Sequence, residues 1–228
     1  MPHMADSSRF IDITLPFSSS LAVWPGDAPV EIHHAAGVPM VSTLRMSSHS
    51  GTHVDAPAHF FPQGRAIDRL PLETLIGRAY VADVAAESII TASSLEAARI
   101  PAGVTRLLLK TRRVESWSRT TQKPLLMERR KPGQRKPFDE AFLGLDVGAA
   151  GWLLARQIRL VGINTPSIDP FAATACPAHH ALLSNEVIIV ENLHLENVKP
   201  GFYRLICLPL PVENGDGAPA RAALEIID

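Results

Sequence analysis

"HSGTHVDAPAH", residues 49–59, holds three of the chain's nine histidines and an aspartate within eleven residues. His49, His53, Asp55 and His59 all stand at odd positions, so an unbroken strand would aim all four side chains at one face. It would also hold His49 and His53 about 13 Å apart, too far for two ligands that each approach one ion to about 2 Å. The segment must therefore bend. Gly51 permits a tight or left-handed turn, while Pro57 forbids a regular helix and biases Ala56 towards extended backbone. A flexible and a rigid break at different places fold the chain around a point. Imidazoles and a carboxylate gathered there read as a divalent-metal site, of a kind that suits zinc or manganese better than calcium.

Such a site needs at least one more ligand from elsewhere in the chain. The donors are "AHH" at 178–180 and "VEN" at 190–192. His179 and Glu191 would lie about 18 Å apart along one helix, and farther along one strand. Only a reversal reconciles them, and Ser184-Asn185 lies between a helix-like and a strand-like stretch. His180 points about 100° away from His179 on a helix, and Glu186 falls at the opposite end of the strand, so both rank behind. His33-His34 has no acidic or histidine neighbour at ligand spacing and reads as structural.

The remaining pattern is mixed α/β. "RFIDITLPF", "VEIHHA", "AYVADV", "TRLLLKT", "IRLVGIN", "EVIIVEN" and "GFYRLICLPLPV" read as strands. Short helices are expected in "TASSLEAARI", with a cap at its Ser-Ser-Leu-Glu opening, in "DVGAAGWLLARQ" and in "CPAHHALLSN". "WPGDAP" is turn chemistry that presents Trp24 beside a tight reversal, and "TPSIDP" is a Pro-rich loop.

At 228 residues, 46% hydrophobic and 20% charged, the chain is expected to form one soluble domain over residues 9–228. Residues 1–8 read as a disordered start or cloning remnant. No apolar run is long enough to span a bilayer, and "MPHMADSSRF" lacks the apolar centre of a signal peptide, so a cytoplasmic location is expected with Cys176 and Cys207 reduced. From Lys110 to Lys136 ten Lys/Arg face two Glu, a local charge of +8 against −1 for the whole chain. The stretch 114–136 reads as a basic insertion. It opens a second function class, a nucleic-acid-binding protein with a structural metal, although structural zinc sites are usually closed and cysteine-rich. A third class, with Cys176 as nucleophile and His179 or His180 as base, would spend a histidine better used as a ligand.

"HSGTHVDAPAHF" is very similar to the HxGTHxDxPxH signature of the cyclase-like metal-dependent hydrolases, a family that includes bacterial kynurenine formamidases and isatin hydrolases. "VWPGDAP", "GINTPSIDP", "AHHALLSNEVIIVENL" and "GFYRLICLPLPV" follow in the family's order, so the resemblance spans most of residues 10–227. It implies a swivelling β/β/α single domain with a mixed sheet and short helices, assembled as a homodimer or homotetramer. It implies two divalent ions, zinc ahead of manganese. His49, His53 and Asp55 would hold one ion, and Asp55, His179 and Glu191 the other. His59 would be the catalytic acid/base and Trp24 would contact the aryl part of the substrate. The implied reaction is hydrolysis of a formyl anilide, N-formylkynurenine first, with isatin or another cyclic amide or ester as alternative. The basic insertion and Asn164, where the family pattern leads one to expect Asp, are departures.

Overall fold

The computed structural model describes residues 9–113 and 137–227. The start at 1–8 and the basic insertion at 114–136 lie outside the described residues. The strands are β1 (Phe10–Asp12), β2 (Glu31–His34), β3 (Ser42–Arg45), β4 (His53–Asp55), β5 (Ile76–Ala86), β6 (Arg106–Arg113), β7 (Leu160–Ile163), β8 (Ile188–Glu191), β9 (Gly201–Pro209) and β10 (Gly217–Ile226). The helices are α1 (Leu72–Leu75), α2 (Ala92–Ala97), α3 (Val147–Ala155) and α4 (Pro177–Leu183). This is the mixed sheet with short helices that the sequence led us to expect.

The main sheet runs β1-β10-β4-β8-β7-β6-β5-β9 and closes on itself, because β10 also pairs with β9. One edge of β10 serves β4 through Gly217–Pro219 and β1 through Ala223–Glu225, while the other edge serves β9. Strands β5 to β8 are parallel, which demands crossovers, and α2, α3 and α4 supply them. Their apolar side chains alternate between two cores, as period-2 geometry requires. Leu107, Leu109, Val161, Ile163 and Ile189 pack under the helices. Leu108, Leu160, Ile188, Val190 and Val54 fill the inside of the rolled sheet with Leu205, Cys207 and Ala222.

Several local readings change. Helix α2 is capped by Thr91, whose side chain accepts from the Ser94 N–H in a reciprocal box, rather than by its Ser-Ser pair. Strand β8 begins at Ile188 because Glu186 sits in the preceding turn with φ +59°. β2 pairs with β3 as a separate hairpin, where His34 Nδ1 meets Ser42 Oγ at 2.7 Å and leaves this histidine pair far from core duty.

Candidate metal centre

Strand β4 carries His53 and Asp55 to one face and Val54 to the rolled-sheet core, and His53 stands directly opposite Glu191 on β8. Three acidic or basic side chains thus meet by register alone. The expected bend precedes β4: Gly51 takes φ +64°, and the His49 and His53 rings stand 5.1 Å apart, centroid to centroid. The expected reversal lies between α4 and β8, and it brings His179 Nε2 within 3.2 Å of Glu191 Oε1.

Asp55 is the centre of the arrangement. Its Oδ1 lies 2.8 Å from His49 Nδ1 and 3.4 Å from His53 Nε2, while its Oδ2 faces His179 Nε2 at 3.5 Å. Glu191 Oε2 is 3.3 Å from His53 Nε2, and its Oε1 also accepts the Ile168 N–H. His53, Asp55, His179 and Glu191 are buried and His49 is half-buried; Asp55 is 0% exposed. Two carboxylates this deep are costly unless cations face them. In the metal-free chain the imidazoles take that part. Burial works against a charged His49, but the hydrogen bonds and charges of Asp55 and Asp216 outweigh it and push the ring up to about 9. His53 and His179 are raised against the same burial by the carboxylates beside them, and Asp55 is held well below its ordinary value, burial being overcome chiefly by His53 and His179.

The fit of a divalent ion is tested by one atom. Asp55 Oδ2 is buried and has no hydrogen-bond partner. A carboxylate oxygen can only accept, and the donor that faces it, His179 Nε2 at 3.5 Å, makes no hydrogen bond to it, which leaves a place for a closer cation. The nitrogens that face it are, in turn, fixed from behind. His53 Nδ1 bonds the Gly51 carbonyl at 2.8 Å, and His179 Nδ1 bonds Asp169 Oδ2 at 2.6 Å, which leaves both Nε2 atoms aimed inward. Oriented imidazoles of this kind are what a metal site uses.

His59 ends the 3-10 turn Pro57–His59 that follows β4, with its ring 4.0 Å from that of His49 and 6.0 Å from that of His179. Burial, with the positive fields of His49 and His179, keeps its pKa below the ordinary histidine value against the pull of Asp55 and Asp216. The ring is therefore unprotonated near neutrality and able to accept a proton.

Trp24 is 37% exposed and packs with Phe138, Phe142 and Phe171 at centroid distances of 5.2, 6.2 and 5.2 Å. Phe60 stacks on the His179 ring at 4.9 Å and Phe61 lies edge-on to His180, both also packing against the core. Cys176 donates to the Ala173 carbonyl, and burial lifts its thiol further from ionisation. His179 spends one nitrogen on Asp169 and aims the other at Asp55 and Glu191, so both its nitrogens are engaged away from the thiol. Asn164 accepts from the Thr111 N–H and hydroxyl at 2.9 and 2.8 Å, a duty its amide oxygen performs as an Asp would.

Two residues were missed. Asp169, inside "TPSIDP", accepts from the backbone N–H groups of Ala178 and His179 as well as from the His179 ring. Asp216, in the turn before β10, lies 2.8 Å from His49 Nε2. An Asp next to Pro or Gly reads as turn chemistry, and nothing in its spacing marks a partner.

Comparison with known proteins gives four findings. The cyclase family model matches residues 11–170. The kynurenine formamidase of Bacillus cereus is 34% identical over 226 residues, covering 97% of this chain and 99% of its own. A solved structure described as a potential metal-dependent hydrolase with cyclase activity superposes with a TM-score of 0.76 at 28% identity, covering 96% and 98% of the two chains. An isatin hydrolase bound to the product analogue thioisatinate shares the fold, with a TM-score of 0.74 at 22% identity over 96% and 92%.

Proposed function

The chain belongs to the cyclase family, and from that premise we propose that it is a metal-dependent hydrolase of aryl formamides, with N-formylkynurenine as first substrate and a role in tryptophan catabolism. The observation that carries the reading is the enclosed Asp55–Glu191 pair, ringed by His49, His53 and His179 and left with the unpartnered Asp55 Oδ2. His49, His53 and Asp55 would hold one divalent ion, and Asp55, His179 and Glu191 a second, zinc ahead of manganese. When bound, such ions lower the pKa of coordinated water to about 7 and polarise a carbonyl oxygen.

The chain's own residues do the rest. Attack of water on the formyl carbon breaks the C–N bond, and the anilide nitrogen leaves poorly as an anion. His59 takes a proton from the attacking water and returns it to that nitrogen, so the products are a neutral aryl amine and formic acid, which ionises to formate and releases the second water proton to solvent. Trp24 and its three phenylalanines offer an apolar wall for the aryl ring. The relatives that cover nearly the whole chain favour this reading over the nucleic-acid alternative. Ring opening of isatin remains the second reading, supported by the shared fold.

The finer features are read as follows. The β2–β3 hairpin exposes Val38, Met40, Val41 and Leu44, an apolar face that suits burial in a homodimer or homotetramer. Among the described residues no helix is long and apolar enough to cross a membrane, and both cysteines are free, which supports a reducing, cytoplasmic setting. The test is a chelation and metal re-addition assay on N-formylkynurenine, other formyl anilides, isatin and simple lactones. Fastest restored turnover on the formyl anilides supports the reading; turnover of isatin alone replaces it with the second.

A further inference from the structure

We propose that Asp216 is the positioning residue for His59, its carboxylate setting which ring nitrogen of the acid/base carries the fixed proton. The inference rests on the reading of His59 as the residue that shuttles the proton. Asp216 Oδ2 lies 2.8 Å from His49 Nε2 and 3.5 Å from His59 Nδ1, so one oxygen addresses two adjacent rings. Its other oxygen accepts from Ser48 Oγ at 3.2 Å. These contacts enter the site from the turn before β10, not from the buried side where the other carboxylates stand.

The backbone shows how Asp216 is brought there. Its carbonyl accepts the Ala56 N–H at 3.0 Å, tying this turn to the residue that leads into the 3-10 turn of His59. The next residue, Gly217, lies against the His49 ring: a Cβ there would stand 2.7 Å from His49 Cε1 and 2.8 Å from the Val54 carbonyl. Any other residue would push the turn outward and take the carboxylate with it. The position is thus held through β10, His49 and the His59 loop together.

The chemistry follows from the two nitrogens of an imidazole. A carboxylate accepting from Nδ1–H fixes the proton there, leaves Nε2 free to take the water proton, and stabilises the imidazolium until that proton passes to the departing nitrogen. At 3.5 Å the pair is an ion-pair contact and not yet a hydrogen bond, and such contacts commonly tighten when substrate binds.

The experiment compares the zinc-loaded parent with Asp216→Asn and Asp216→Ala on a formyl anilide and on an aryl formate ester, whose phenolate leaves without protonation. With each protein saturated with zinc, we expect kcat on the anilide to fall about 10–100-fold with KM within about threefold, and kcat on the ester, which spares the proton transfer to the leaving group but not the one from water, to fall less. Nitrogen-15 correlation spectra of the histidine rings should show His59 as the Nδ1–H form in the parent and as a mixture in both variants. Equal losses on anilide and ester, or an unchanged His59 tautomer, would overturn the inference. If the parent hydrolyses neither substrate, the proposed activity fails, while the ring spectra still decide what Asp216 does to His59.

Discussion

Two aspartates hold histidines of the same site, and they do so from opposite surroundings. Asp169 is 2% exposed, binds His179 at 2.6 Å and is itself locked by two backbone N–H groups at the start of α4. Asp216 reaches His49 at 2.8 Å from a side chain 47% exposed, with only Ser48 as a further side-chain support. The inner aspartate is over-determined and belongs to the part that must not move. The outer one borders solvent and His59, where protons pass. Damage on the inner side should cost metal retention first, and damage on the outer side should cost turnover even in protein saturated with metal.

The largest effect that could break this contrast is at His59. His59→Ala should lower kcat on formyl anilides by about 10²–10⁴-fold while metal content, read by elemental analysis, is unchanged. Loss of the metal in that variant would erase the distinction between the two sides.

Next comes the pH response of the metal-stripped protein. His49 in the folded chain titrates at about 9 because Asp55 and Asp216 face it, against 6.5 when unfolded. Its contribution is present in full below the unfolded value and is lost as pH rises towards 9, a change on the order of 3 kcal/mol. Denaturant midpoints should fall across that window. Metal binding needs deprotonated imidazole, so the metal-loaded protein should not show this fall. A stripped protein equally stable at both ends of the window would show that the carboxylates do not charge this ring.

Asp169→Asn sharpens the inner half. It should weaken zinc binding about 10–100-fold in a chelator competition, with anilide and ester turnover of the fully loaded enzyme reduced alike. The smallest effect is at the rim: Trp24→Ala should raise KM for aryl formamides about 2–10-fold and leave kcat within about twofold, as loss of one aromatic contact implies. A kcat defect there would move Trp24 from recognition into the chemistry.

Most of the buried half, Asp169 excepted, was legible in the sequence, because ligand spacing constrained the path of the backbone. The spacing of His49 and His53 required a bend, Gly51 and Pro57 said where, and the twelve-residue gap from His179 to Glu191 required a reversal. The strands with dense Val, Ile and Leu were legible for the same reason, since β7 and β8 are buried on both faces. What escaped was short, polar or alanine-rich. β4 is three residues long, so its pairing of His53 with Glu191 leaves no periodic trace. β10, "GAPARAALEI", closes the sheet, yet alanine favours helix and its Pro219 argues against a central strand. Asp216 went unseen with it. Trp24's partners Phe138 and Phe142 are distant in sequence, and only the tertiary fold brings them to it.

The most direct test of the central claim is the metal content of the purified chain, followed by its activity after exhaustive stripping. The account predicts about two divalent ions per chain, activity on a formyl anilide that disappears with them, and recovery when zinc or manganese is returned. A chain that carries no such ion and turns over at full rate after stripping would contradict it.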